Sequence, residues 1–175
     1  MRAFYYPDAN SFTCFHTHDE DLSVKNRDRV IYLYRDPVET IYSQMNYYKE
    51  NLSDTNRVNY WASLYGRHLN KWLHEEDFTK NKVVLTYENL KSDLTGEFAK
   101  LANFLDVPYY EKKVLTSAEH VTKERVKEKT QHDAQVINLK EKYKEDRNTF
   151  MQNHDELIYR VLKDINPSLL SLFHQ

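Results

Sequence analysis

Short apolar runs along the chain are separated by longer stretches in which apolar residues recur at helical spacing. Three of the runs, residues 11–16, 29–34 and 82–87, are rich in β-branched and aromatic residues, a composition typical of β-strands. The runs at 29–34 (RVIYLY) and 82–87 (KVVLTY) are nearly continuous. Such runs predict strands that are buried on both faces, as in a parallel sheet.

The stretches between and after these runs predict amphipathic helices. The first begins at Asp36, which can cap a helix, with Pro37 at the first helical position and Glu39 completing an Asp-x-x-Glu capping box. The helical stripes are Val38, Ile41, Tyr42 and Met45; Val58, Trp61, Leu64, Tyr65, Leu69, Trp72 and Leu73; Leu94, Phe98, Leu101 and Leu105; and Leu157, Ile158, Val161, Leu162 and Ile165. Pro108 and Pro167 follow the last two stripes and predict where those helices end.

This order of elements predicts an α/β fold. Strands that alternate with helices indicate a parallel sheet flanked by helices. Residues 111–175 are highly charged and are predicted to be mostly helical. A length of 175 residues fits one domain, residues 1–175, with enough chain to bury a core.

Composition narrows the classes of partner and compartment. The 25 Lys and Arg are interleaved with 27 Asp and Glu, which argues against a nucleic-acid partner because such proteins present a basic stripe. The single Cys14 cannot form an internal disulfide, which favours a reducing compartment. No stretch reaches the roughly 20 apolar residues that cross a bilayer, and residues 1–15 lack a signal-peptide core. We therefore expect a cytoplasmic protein without a membrane segment.

The glycine content limits how the chain can bind an anion. Gly66 and Gly96 are its only glycines, and each falls inside a predicted helix. A backbone loop that wraps a phosphate needs glycines at its tight turns. Any anion site is therefore expected to use side chains and helix N-termini.

Arg35 is a candidate for such a site. It follows the strand predicted at 29–34, and ligands of parallel α/β sheets bind beyond the carboxyl ends of strands. Its fork of donors matches phosphate geometry, and Ser43 on the next helix can add a hydroxyl. A surface ion pair of Arg35 with Asp36 or Glu39 is the structural alternative, and spacing alone does not decide between them.

The segment RVIYLYRDPVETIYSQMNYY resembles the 3′-phosphate-binding segment of sulfotransferases that use 3′-phosphoadenosine 5′-phosphosulfate. In that family a buried strand ends in Arg, followed by Asn or Asp and often Pro, with a Ser eight residues after the Arg. Arg35 and Ser43 match both positions. The resemblance implies that these two residues bind the 3′-phosphate of the nucleotide. We expect no metal, since no third metal ligand has a clear spacing to the candidate histidines.

A second segment, VVLTYENLKSDLTGEFAKLANFLDVP, is similar to the family's later strand, turn and helix. By this match Tyr87 is expected near the adenine. The structural alternative for Tyr87 is an aromatic residue at a strand end that packs on the core.

The segment FHTHDED resembles the family's Lys-Thr-His segment. His18 then matches the general base that takes a proton from the acceptor hydroxyl, a role that suits histidine. His16 stands where the family often has Lys, which is a departure from the pattern. The two histidines, with Asp19 or Asp21, also permit a metal site, although two histidines beside a turn are more often solvated surface residues.

A late basic segment, VTKERVKEKTQHDAQV, resembles in its place along the chain the basic segment that many members of the family have over the 3′-phosphate. The family's Arg-Lys-Gly is absent here, and Lys129 and Thr130 are the residues we expect to replace it. The structural alternative is a solvated helix face whose lysines pair with nearby Glu.

The family's first strand and its Lys- and Gly-containing loop, which wraps the 5′-phosphosulfate, have no counterpart in the sequence. The resemblance is strongest over residues 12–110 and implies a three-layer parallel sheet of the P-loop-like type. We therefore expect an N-terminally incomplete sequence in which Met1 is internal to a longer protein.

The expected function is transfer of a sulfuryl group to an acceptor hydroxyl, on a small molecule or a glycan. The alternatives are a nucleotide-binding module without catalysis and a small kinase-like phosphate-transfer protein. An aromatic wall for a sugar acceptor is one interpretation of Tyr47, Tyr48, Trp61, Tyr65 and Trp72. At helical spacing, however, Trp61, Tyr65 and Trp72 are more typical of a core.

Overall fold

Four short strands form two separate pairs in the part of the chain that the structure describes. β1 (Arg2–Tyr5) is antiparallel to β2 (Thr13–His16), whereas β3 (Val30–Tyr34) is parallel to β4 (Lys82–Thr86). The predicted strands are confirmed, but β1 is not indicated by the sequence pattern. The computed structural model of the chain describes residues 2–5, 13–16, 18–19, 21–24, 30–75, 81–122, 125, 128 and 143–173.

Two helices connect β3 to β4. α1 (Pro37–Tyr47) begins where the sequence predicts, because the Asp36 Oδ1 accepts a hydrogen bond from the Glu39 N–H at 2.9 Å. α2 (Thr55–His74) is capped by Asp54 in the same way. A strand, a crossover and a parallel strand form the basic unit of an α/β fold, so the predicted fold class is confirmed for this part of the chain.

The chain after β4 is mostly helical in the part that the structure describes. α3 (Tyr87–Ser92) is a short helix where the sequence resemblance implies a turn, and α4 (Leu94–Leu105) follows it directly. α5 (Glu111–His120) and the long α6 (Tyr143–Ile165) confirm the helical C-terminal part. A 3₁₀ helix, Pro167–Leu172, follows. None of the described helices has both the length and the apolar character needed to cross a membrane.

The core lies on one face of the parallel pair, where α1, α2 and α6 pack together. Tyr32 of β3 stacks on Trp72 of α2 with ring centres 5.7 Å apart. Gly66 allows α2 and α6 to approach closely, because a Cβ at this position would lie 2.6 Å from the Ile165 Cδ1. The buried core residues are Tyr32, Val38, Ile41, Tyr42, Met45, Val58, Trp61, Ala62, Leu69, Trp72, Phe150, Ile158, Leu162 and Leu169.

The opposite face of the parallel pair is covered over β4 and exposed over β3. Val83 and Leu85 of β4 are buried, and α4 packs against this strand. Their neighbours in register, Ile31 and Leu33, are 41% and 54% exposed. The prediction that β3 is buried on both faces is therefore wrong for the described residues, because α4 covers only the neighbouring strand.

Candidate functional site

Arg35 and Tyr87 lie together at the carboxyl edge of the parallel pair. Tyr34 and Thr86 are opposite each other at the ends of β3 and β4, so the two residues that follow leave the sheet side by side. The guanidinium carbon of Arg35 lies 5.7 Å from the centre of the Tyr87 ring, within cation–π range. The structure thus brings together two residues that the sequence singles out, at the edge where ligands of such sheets bind.

The Arg35 guanidinium has one donor in use and another without an acceptor. Its Nη2 donates to the Glu39 carbonyl oxygen at 2.6 Å and lies 3.8 Å from the Glu39 Oε2. This is the ion pair that the sequence offers as the structural alternative. The Arg35 Nε is buried and has no hydrogen-bond acceptor among the described residues. A buried unpaired donor is costly unless another group satisfies it, so the side chain retains capacity to bind an anion.

Tyr65 of α2 binds the backbone of Arg35 in both directions. Its hydroxyl donates to the Arg35 carbonyl oxygen at 2.8 Å and accepts from the Arg35 N–H at 3.3 Å. Burial raises the pKa of Tyr65 to about 12, so its hydroxyl keeps its proton and remains a donor. The helical spacing of Tyr65 predicts a core residue, and no local pattern indicates a contact across 30 positions.

Asp36, between β3 and α1, is bound by two distant segments. Its Oδ2 accepts from the Tyr159 hydroxyl at 3.0 Å, and its N–H donates to the Glu88 Oε1 at 3.2 Å. In the predicted capping box, the Glu39 side chain would accept that N–H; Glu88 takes its place, so this half of the prediction is wrong. Burial, and then the nearby Asp36 carboxylate, raise the pKa of Tyr159, which keeps it a donor.

The Glu39 carboxylate lies between two guanidinium groups. Its Oε2 faces Arg35, and its Oε1 is in direct contact with the Arg147 Nη2 of α6. The three side chains are 27%, 29% and 32% exposed for Glu39, Arg35 and Arg147 respectively. We call this arrangement the Arg35–Glu39–Arg147 triad. Arg147 is 108 positions from Glu39, and nothing in the sequence indicates that the two meet.

A pocket adjoins the triad. Its volume is about 310 Å³, and its lining consists of Glu39, Tyr87, Glu88, Lys91 and Ser92. The exposed Tyr87 ring has the Lys91 Nζ 5.4 Å from its centre. The pocket therefore has an accessible aromatic ring, with a lysine over it and the triad at its border.

Ser43 is exposed on α1, eight residues after Arg35. Within the described part of the chain its hydroxyl makes no side-chain hydrogen bond, so it is available to a ligand. No contact between Ser43 and Arg35 is observed among these residues, and a joint role of the two stays a prediction.

The His18 side chain is exposed, while its backbone is attached to α2. The His18 carbonyl oxygen lies 3.0 Å from the His68 Nε2, and the His68 Nδ1 lies 2.9 Å from the Tyr32 hydroxyl. Burial lowers the pKa of His68, which favours a neutral ring. Because a carbonyl oxygen can only accept, the Nε2 carries the proton and the Nδ1 accepts from Tyr32. His18 is thereby linked to β3, the strand that precedes Arg35.

The residue after His18 anchors the same turn. The Asp19 Oδ2 is 2.7 Å from the Lys71 Nζ and accepts from the Trp72 Nε1 at 3.0 Å. Lys71 also donates to the Leu22 carbonyl oxygen at 2.8 Å. Asp19 and Leu22 both have positive φ, 47° and 56°, a conformation that persists only where surrounding contacts impose it. These contacts fix the backbone from which the His18 ring projects.

The predicted aromatic wall is divided in the structure. Tyr48 stacks on Trp61 at 5.3 Å and meets Tyr47 edge to face at 4.9 Å, and both tyrosines are exposed. Tyr65 instead binds the backbone at the end of β3, and Trp72 is buried in the core. Only part of the wall is therefore available to an acceptor.

Two predicted nucleotide contacts, Lys129 and Thr130, lie outside the described residues, as does the side chain of His16. Their roles stay predictions. Among the residues whose placement the structure gives, no group of three or more His, Cys, Asp or Glu side chains is arranged to hold a metal ion.

Comparison with known proteins identifies the class. Residues 7–161 match the sulfotransferase domain family, so the chain belongs to this family. It is also similar to the luciferin sulfotransferase of Photinus pyralis, with 24% identity over 160 residues. That alignment covers 81% of this chain and 42% of the relative, so the chain spans less than half of the relative's length. The family match includes every segment on which the sequence resemblance rests.

Proposed function

We propose that this protein transfers a sulfuryl group from 3′-phosphoadenosine 5′-phosphosulfate to an acceptor hydroxyl. The observation that carries the proposal is the buried Arg35 Nε without an acceptor, at the carboxyl edge of a parallel strand pair and 5.7 Å from an exposed tyrosine ring. Such a donor is suited to an anionic ligand. Membership of the sulfotransferase family makes a phosphorylated adenine nucleotide the ligand to test first, ahead of a substrate of kinase-like chemistry.

Each predicted nucleotide residue has a distinct role in this proposal. The Arg35 fork binds the 3′-phosphate, and the Ser43 hydroxyl donates to the same group. The Tyr87 ring lies against the adenine, as aromatic rings do against bases. Lys129 and Thr130 add further contacts to the phosphate. The support for Arg35 and Tyr87 is their shared position beside the pocket; the other three roles rest on the family resemblance.

His18 is proposed as the general base. It accepts the proton of the acceptor hydroxyl as the acceptor oxygen bonds to sulfur. The bond from sulfur to the phosphate oxygen breaks, so the donor leaves as 3′,5′-bisphosphoadenosine. A neutral imidazole can accept a proton in this way. The exposed ring on an anchored backbone supports the role, since a base must reach its substrate in a fixed orientation.

The acceptor and the finer architecture belong to the same proposal. The exposed pair Tyr47 and Tyr48, beside Trp61, supports a glycan or aromatic small-molecule acceptor. The exposed apolar side chains of Ile31 and Leu33 support the three-layer sheet that the family resemblance implies, because a further layer on that face would cover them.

The test is calorimetric titration with 3′,5′-bisphosphoadenosine, comparing the wild type with Arg35→Ala. Removing a charged phosphate contact is expected to weaken binding by about 1.5–3 kcal/mol, roughly tenfold or more. Arg67→Ala is the matched control, because Arg67 is an exposed arginine of α2 whose one hydrogen bond to the described residues is with the Ser63 carbonyl oxygen of its own helix. It is expected to leave the affinity unchanged.

A transfer assay with labelled donor completes the test. His18→Asn is expected to keep nucleotide affinity and to lower transfer by about a hundredfold or more. A wild type that binds the nucleotide without transferring sulfate would favour the nucleotide-binding module over the enzyme. Wild-type protein with no affinity for the nucleotide would contradict the proposal.

A further inference from the structure

The two arginines of the Arg35–Glu39–Arg147 triad face the same carboxylate from two different segments, Arg35 from the end of β3 and Arg147 from α6. Arg147 contacts the Glu39 Oε1, and Arg35 lies 3.8 Å from the Oε2. Carboxylate and phosphate groups are bound by arginine with the same fork geometry. The space between the two guanidinium groups is therefore shaped for an anion, and a side chain of the protein itself occupies it.

The interaction of the Glu39 carboxylate with Arg35 is weak. At 3.8 Å the Glu39 Oε2 is beyond hydrogen-bond distance of the Arg35 Nη2, and the Arg35 Nε remains without an acceptor among the described residues. A carboxylate presents two oxygens, whereas a terminal phosphate presents three and carries more charge. A phosphate in this position can satisfy donors that Glu39 leaves unpaired.

The Glu39 carboxylate can leave this place by movement of its side chain alone. It belongs to the first turn of α1, its side chain is 27% exposed, and the pocket that it lines is adjacent. Rotation about its side-chain bonds removes the carboxylate without a change in the backbone. The helix N-terminus itself favours an anion at this position, so the vacated place remains suited to negative charge.

We propose that Glu39 occupies, in the nucleotide-free protein, the place of the nucleotide's 3′-phosphate, and that Arg147 is a second cation of that phosphate site. The inference rests on the proposed function. Binding then requires displacement of Glu39. The apparent affinity is therefore the intrinsic affinity multiplied by the fraction of molecules in which the carboxylate has moved away. Arg147 exchanges the carboxylate for the phosphate and keeps an anionic partner throughout.

Two substitutions are expected to act in opposite directions. Glu39→Gln removes the competing charge and keeps the shape of the side chain, so affinity for 3′,5′-bisphosphoadenosine is expected to rise about twofold to tenfold. Arg147→Ala removes a phosphate contact, so affinity is expected to fall about tenfold or more. Arg147→Lys, which keeps the charge and loses the fork, is expected to fall between the wild type and the alanine variant.

Glu88→Gln is the matched control. Glu88 lines the same pocket and carries the same charge, but it accepts the Asp36 N–H and, among the described residues, forms no ion pair with either arginine of the triad. A purely general effect of negative charge would make both glutamine variants tighten binding equally. The proposal requires a clearly larger effect at Glu39 than at Glu88.

The experiment is calorimetric titration of the full chain and these variants with 3′,5′-bisphosphoadenosine and, in parallel, with adenosine 5′-phosphate, which lacks the 3′-phosphate. Opposite shifts for Glu39→Gln and Arg147→Ala, seen with the bisphosphate and absent with adenosine 5′-phosphate, would support the inference. Wild-type binding that depends on Arg35 and is unchanged in both variants would overturn the inference and leave the proposed function intact. No binding by the wild type or by Glu39→Gln would overturn both.

Discussion

Two cationic side chains, Lys71 and Arg35, have opposite surroundings. The Lys71 ammonium group is 2.7 Å from Asp19 and also donates to the carbonyl oxygens of Leu22 and Val24 at 2.8 and 2.7 Å. Its three donors are thus all satisfied within the fold, and its side chain is only 9% exposed. Arg35 is 29% exposed, lies 3.8 Å from its nearest carboxylate and has a buried Nε without an acceptor in the described chain.

The difference separates a structural cation from a binding cation. A charge whose partners all come from the fold contributes to stability, and removing one partner leaves the other charge buried and uncompensated. A charge that keeps an unpaired donor beside a pocket contributes little to stability and is prepared for a ligand. Lys71 is therefore expected to matter for folding and Arg35 for nucleotide binding.

The largest expected effect is on the structural side of this comparison. Lys71→Met leaves the buried Asp19 carboxylate without its cation, so the free energy of unfolding is expected to fall by about 3–5 kcal/mol. Urea denaturation followed by circular dichroism measures the change. Lys113→Met is the control, since Lys113 is exposed on α5 and its ammonium group lies over the Tyr110 ring, 4.5 Å from the ring centre; it is expected to cost less than about 1 kcal/mol.

A double variant sharpens the same prediction. Adding Asp19→Asn to Lys71→Met removes the uncompensated charge, so part of the lost stability is expected to return. If the double variant is less stable than Lys71→Met alone, the penalty does not come from an unpaired charge. Equal losses in Lys71→Met and Lys113→Met would remove the distinction between a saturated network and a surface contact.

Tyr65 contributes both to the fold and to the candidate nucleotide site, because its buried hydroxyl positions the backbone of Arg35. Tyr65→Phe removes a hydroxyl bonded to both the N–H and the carbonyl oxygen of Arg35. We expect a loss of about 1–2 kcal/mol in the free energy of unfolding and a severalfold weaker affinity for 3′,5′-bisphosphoadenosine. Tyr60→Phe, on the exposed side of α2, controls for loss of a tyrosine hydroxyl and is expected to change neither quantity.

Local patterns in the sequence predict most of the elements but few of the polar contacts. The strand before Arg35, the cap at Asp36 and the helix that ends before Pro167 follow from residues within one turn of each other. The exposure of Leu33 cannot be predicted from such neighbours, because it depends on which helix covers the strand beside it. Local sequence determines secondary structure, whereas burial depends on elements far along the chain.

The candidate site shows the same limit. The sequence predicts the position of Arg35 after a strand, and it leaves both an ion pair and a ligand open for this side chain. Its contacts with Tyr65 and, through Glu39, with Arg147 join residues 30 and 108 positions apart. No spacing rule reaches that far, so the residues that complete the anion site are found only once the helices are packed.

The smallest expected effect concerns His68, whose Nε2 donates to the His18 carbonyl oxygen and which belongs, like Lys71, to the residues that stabilise the fold. Burial lowers the pKa of His68 below its ordinary value of 6.5 in the folded protein, while the unfolded chain takes up the proton near that value. At pH values well above 6.5 the His68 ring is neutral in both the folded and the unfolded protein. As the pH falls through 6.5 the unfolded state binds more protons, so the free energy of unfolding decreases until the folded ring is protonated as well.

The variant His68→Gln tests this contribution. Its amide can reproduce both hydrogen bonds, and it is expected to lose this part of the decrease in the free energy of unfolding. His120→Gln, at an exposed histidine of α5, is expected to keep it. Denaturant titrations at a series of pH values measure the curves, and parallel curves for the wild type and His68→Gln would show that His68 is not held neutral by the fold.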